Sequence, residues 1–137
     1  MLVEIANDFQ LAAELIPGST RYIGIADSQP VYIGSSNVLR LAGVIQDASI
    51  PNGEVCVFDL QVALALEGPS PWHTLYSQSL PAASLALVGF KQTDLARTGF
   101  PFTRVRWRIE PANPTASIAA GAWFRLSAYL NTGLELS

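Results

Sequence analysis

The chain has 137 residues, half of them apolar and only 14% charged, with eight basic and eleven acidic side chains and a net charge of −3. That length allows one compact core. The apolar fraction and a mean hydropathy of +0.29 exclude intrinsic disorder, and the charge balance gives no footprint for wrapping nucleic acid. No apolar run reaches the roughly 18 residues of a membrane span, and the first twenty residues lack the basic start of a signal peptide, so neither membrane insertion nor secretion is expected.

Lys91 is the only lysine, and 30 Ser, Thr, Asn and Gln residues must cover much of the surface. A free monomer is ordinarily kept soluble by mixed charges and a patch-free exterior, so a weakly charged surface implies that part of it is buried against other chains. A monomer with a neutral surface is the alternative.

Along the chain, nine prolines and ten glycines punctuate short runs rich in Val, Ile, Leu and aromatics, which is the pattern of strands separated by turns. Residues 1–35 are expected to hold an N-terminal arm or short helix and the first strands, and residues 36–137 the core of the same domain. Asn7 to Ile16 reads either as a short helix capped by Asn7 or Asp8 or as an extended arm, and the arm is favoured, with Phe9 and Leu11 as contacts to a neighbouring subunit. Short strands are expected at Tyr22–Ile25 and Val31–Ile33, and a longer one at Val38–Ile45.

Glu54 to Leu66 is expected to be a central strand bounded by Pro51-Asn52-Gly53 and Glu67-Gly68-Pro69, although Leu60 and Leu64 also fit a helical period. It carries Cys56, the only cysteine, which rules out an intrachain disulfide and reads as a small buried hydrophobe. Trp72 to Ser77 is a further strand, and Thr93 to Arg97 a loop or crossover stopped by Pro101. In Arg104-Val105-Arg106-Trp107-Arg108-Ile109 three arginines alternate with three apolar residues, as a half-buried strand requires. Ala122 to Leu130 repeats the alternation, with Phe124, Leu126, Ala128 and Leu130 on one face. Without strand–helix alternation, the sum is an all-β protein: an antiparallel β-sandwich or jelly roll of about seven or eight strands.

Motifs for chemistry are scarce. A single histidine, His73, excludes a multi-histidine metal centre, and no nucleophile elbow accompanies it, so it reads as a loop-edge residue. Neither Gly-rich phosphate loop occurs, and the carboxylates are scattered without calcium-loop spacing. No catalytic residue, cofactor or metal is expected. Trp72, Tyr76 and Trp123 are candidates for an aromatic platform that stacks sugar rings, while Trp107 falls on the buried parity. Arg104, Arg106 and Arg108 share one face and repel each other, so an acidic cross-strand row or a neighbouring subunit's carboxylates must compensate them. They are candidate interface residues, with an ion-pair row favoured over nucleic acid.

The segment Gly53-Glu54-Val55-Cys56-Val57-Phe58-Asp59-Leu60-Gln61-Val62, then Trp72-His73-Thr74-Leu75, then Phe102-Thr103-Arg104-Val105-Arg106-Trp107, resembles a pattern in small structural proteins of tailed bacteriophages. It is most similar to head decoration, or cement, proteins with a jelly-roll or sandwich fold. The resemblance spans residues 38 to 130 as a pattern, and the Leu64-Ala65-Leu66-Glu67-Gly68 stretch departs from it where a polar strand end is usual. It implies a non-enzymatic virion protein on the capsid surface, assembled in the host cytoplasm. Such a protein clamps capsomer joints as a homodimer or homotrimer bound to the major capsid protein, without nucleic acid, membrane or cofactor. A glycan- or receptor-binding sandwich module of a phage tail or fibre is the competing expectation.

Overall fold

A computed structural model of the chain describes residues 1–34, 36–67, 72–80, 85–91 and 100–133, with residues 85–91 described by their backbone. Among the described residues eight principal strands run in chain order: β1 (Leu2–Ala12), β4 (Ile25–Asp27), β6 (Val38–Ser49), β7 (Val55–Ala63), β8 (His73–Leu80), β9 (Leu85–Lys91), β10 (Phe102–Glu110) and β11 (Trp123–Gly133). Three short segments, β2 (Glu14–Leu15), β3 (Tyr22–Ile23) and β5 (Val31–Tyr32), complete them. One sheet has the order β1-β11-β6-β9 and the other β4-β10-β7-β8, with β5 also on β10 and β2–β3 as a separate ribbon.

The pairing identifies the architecture. The first principal strand pairs with the eighth (β1–β11), the second with the seventh (β4–β10), the third with the sixth (β6–β9) and the fourth with the fifth (β7–β8), all antiparallel. That nesting is a long hairpin rolled up on itself, and successive pairs fall into alternate sheets, which makes a two-sheet jelly roll. The expectation of an all-β sandwich or jelly roll is met.

Period-two alternation builds the core. Val105, Trp107 and Ile109 of β10, Phe124, Leu126, Ala128 and Leu130 of β11, and Cys56, Phe58 and Leu60 of β7 point inward and are buried. The two sheets come close where β6 carries Gly43: a Cβ there would lie 2.7 Å from Phe58 Cζ of the opposite sheet. The Pro51-Asn52-Gly53 turn between β6 and β7 places Gly53 at φ 71°, a region that favours glycine. Beside it Glu54, 1% exposed, accepts hydrogen bonds from the Asn52 and Ala119 backbone amides at 3.1 and 2.8 Å, tying this turn to the loop before β11.

Three differences from the sequence reading stand out. The Asn7–Ile16 segment forms neither a helix nor a free arm: residues 7–12 belong to β1, which pairs along β11 within the same chain, and Glu14–Leu15 is β2, paired with β3. Two register shifts, Glu4/Ala6 and Ala6/Phe9, break its period, and Asp8 sits at φ 51°, which is why the alternation is hard to read. Tyr22–Ile25 divides into two strands at Gly24, where a Cβ would lie 2.6 Å from Ile109 Cδ1. Residues 85–91 form β9 although their unbroken apolar run has no polar alternation to mark it. The Thr93–Arg97 segment lies outside the described residues.

Candidate functional site

The three arginines of β10 stand in a row on the outer face of their sheet, flanked by β7 and β4. Antiparallel register sets Arg104 opposite Gln61, and Arg106 opposite both Asp59 and Asp27. Each guanidinium finds its partner inside the chain. Arg106 donates from Nε and Nη2 to the two carboxylate oxygens of Asp27, at 2.7 and 3.2 Å. Arg108 makes the same fork to Asp59, at 2.6 and 3.1 Å, and also pairs with Glu110. Arg104 donates to Gln61 Oε1 at 2.9 Å, lies 3.5 Å from Asp27, and stacks its guanidinium 4.3 Å from the Trp72 ring centroid.

Ser77 and Thr74 of β8 extend the network, Ser77 donating to Asp59 at 2.6 Å and Thr74 accepting from Gln61 at 3.1 Å. Arg104 and Arg108 reach onto β7, where their partners Gln61 and Asp59 are each only 5% exposed.

The electrostatics follow from this geometry. The hydrogen bond from Arg106 lowers the Asp27 carboxyl against the opposing pull of burial, helped by the charges of Arg104 and Arg106. Burial pushes Asp59 up, but the Arg108 and Ser77 hydrogen bonds together with the Arg108 and Arg106 charges outweigh it, and its net shift is downward. Arg106 is raised by its bond to Asp27, whereas Arg104 is lowered, chiefly by burial. Three positive groups, Arg104, Arg106 and Arg108, thus meet three negative ones, Asp27, Asp59 and Glu110. The expected ion-pair row exists, and it is intramolecular. The arginines are committed within the sheet and are not a free cationic stripe for a neighbour. Sequence reasoning asked for an acidic row without naming it; the signal is the Asp59-x-Gln61 alternation in the facing strand.

The other candidates are dispersed. Leu11 is 3% exposed in the core, so it is not available as a contact to another subunit; its register opposite Phe124 turns it inward. Phe9, 38% exposed, faces between the sheets and stacks on Trp107, with ring centroids 5.7 Å apart. Trp72 is engaged by Arg104 on the outer face. Tyr76 stands opposite Leu60 on the core-facing parity of β8, and Trp123 is in the other sheet at the start of β11. The aromatic trio therefore makes no common platform, because strand parity and sheet membership separate its members. His73 is exposed at the start of β8, edge-on to Phe100 at 5.4 Å. Burial pushes the Cys56 thiol up to about 12, which suits a packing residue. Among the described residues no group of three or more His, Cys, Asp or Glu side chains is placed to hold a metal ion.

No protein-family profile and no curated protein matches the sequence. The fold has solved counterparts in chains from structures of a virus. A chain in the structure of infectious bursal disease virus Gx strain superposes with a TM-score of 0.58 at 11% identity, over 98% of this chain and 32% of that one. A chain of the Gt strain gives 0.55 at 14% identity, over 97% and 31%. This chain thus spans about a third of the length of those neighbours, and the likeness is one of fold. The Tobacco streak virus coat protein, with a TM-score of 0.35 at 8% identity over 100% of this chain and 89% of that one, is too loose a match to define a shared fold.

Proposed function

We propose that this chain is a virion structural protein, and specifically a head decoration or cement protein that binds the outside of an assembled shell and clamps capsomer joints. The observation that carries this reading is the nested eight-strand jelly roll, which over nearly its whole length resembles a segment of virus-particle chains. One feature of the molecule supports it. The outward charges of β10 are neutralised internally, so the surface can press against another protein without stranding charge at the interface. Its partners in this reading are the major capsid protein and further copies of itself, as a homodimer or homotrimer. Many modest contacts repeated by symmetry then stabilise the shell without any single strong site.

Particles assembled with and without the chain test this by thermal disruption. Particles lacking it should release their genome at a lower temperature, and adding back purified protein should restore the difference. Equal stability of the two particle types, or no binding of the purified protein to the shell, rejects the clamp.

A further inference from the structure

The jelly roll is open along the side where β1 and β4 are the facing edges of the two sheets. There the bulged part of β1 and the segment after β4 border a cleft of about 520 Å³. Trp107 and Phe9 line it as an aromatic pair inclined at 32°, with Phe9 38% exposed. Trp107 is 2% exposed, yet among the described residues its indole Nε1 has no hydrogen-bond partner, an uncommon state for a buried donor. Around the pair stand the amides of Asn7, Gln10 and Gln29 and the carboxylates of Asp8 and Asp27. The bulge that turns this stretch is fixed by Asp8: its backbone amide donates to Ser127 Oγ at 3.0 Å, and its carboxylate pairs with Arg125 at 2.8 Å.

These features select a ligand by elimination. An anion is disfavoured because, among the described residues, two carboxylates and no basic side chain line the cleft. A cation gains little, since Asp27 and Asp8 are already paired with Arg106 and Arg125. A purely apolar ligand leaves the indole N–H without an acceptor. What remains is a neutral ring with one face of C–H groups to stack on Phe9 and hydroxyl oxygens for the indole donor and the surrounding amides. We infer that the β1/β4 cleft is a binding site for a neutral saccharide, with Phe9 as the stacking surface and Trp107 Nε1 as the buried donor. The site is separate from Trp72, Tyr76 and Trp123 and does not depend on the shell-binding role.

A glycan array printed with neutral oligosaccharides of glucose, galactose, mannose, rhamnose and N-acetylglucosamine, alongside sialylated and sulfated ones, tests it on the purified full chain. The wild type should retain at least one neutral glycan and none of the acidic ones. Phe9→Ala should weaken that binding by about tenfold or more, the scale of one lost aromatic stack. Trp107→Phe, which keeps an aromatic ring and removes the N–H, should weaken it about three- to tenfold. Gln29→Ala, at the cleft edge, serves as a variant that leaves the core untouched and should also weaken it. No neutral glycan retained, preference for acidic glycans, or unchanged binding by Phe9→Ala and Gln29→Ala at unchanged melting temperature overturns the inference. A chain that stabilises particles but binds no saccharide refutes the cleft alone.

Discussion

Two sides of the same sandwich treat polar groups in opposite ways. On the outer face of β7 and β10 each arginine has a partner in the chain, and even the buried Asp59 and Gln61 are used by two neighbours each. On the β1/β4 side the edge strand is bulged, an aspartate adopts a left-handed backbone, an aromatic ring is half out of the core, and a buried indole donor is left over. The first arrangement is what a sheet needs to be stiff and electrically quiet. The second departs from local rules, and such departures are where binding surfaces are expected. The difference sets the internally paired network and the proposed binding cleft on different parts of the sandwich.

The largest effect should come from breaking the closed side. Asp59→Ala removes a nearly buried carboxylate and leaves Arg108 and Ser77 without it, and we expect a loss of about 3 kcal/mol in urea unfolding. A loss below about 0.5 kcal/mol means that the network is decorative. Gly43→Ala tests the contact between the two sheets: with Phe58 in the way, the added methyl should cost about 2 kcal/mol. Smaller and graded is the response to acid. Because Asp27 and Asp59 are lowered in the folded state from the ordinary 3.8, the unfolded chain binds protons first. Their contribution is therefore fully present above that value and is lost as pH falls through the lower folded values. Chemical denaturation at stepped pH should show this acid slope in the wild type, and a flatter one in the Asp27→Asn/Asp59→Asn variant. The smallest change is on the open side. The Asp8–Arg125 pair is exposed, so Asp8→Ala should alter stability by less than about 1 kcal/mol, and Asp8→Gly, which suits the positive φ, should cost still less.

The contrast also explains what could be read from the sequence. Strands β10 and β11 were legible because one face is core and the alternation is unbroken, β7 because of its β-branched start and flanking turn residues, and from them came the fold class. The buried parity of Trp107 and the need to compensate three arginines followed from the same period. The carboxylates that meet that need did not: Asp27 sits on a three-residue strand, and Asp59 is an acidic residue in an otherwise core-like run. β1 was obscured by its two bulges, with Asn7-Asp8 imitating a helix cap. The cleft was invisible because its residues lie about 100 positions apart from Trp107 on one side and about 80 on the other, and only the rolled topology brings them together.

The proposed role of this jelly roll, a component gripped by its neighbours on a virus shell, is tested most directly by a reconstruction of the intact particle. The account predicts density fitted by this two-sheet domain on the outer surface, lying across joints between capsomers in copies related by the shell's symmetry. Density for it confined to a tail or fibre, or none anywhere in the particle, contradicts the account.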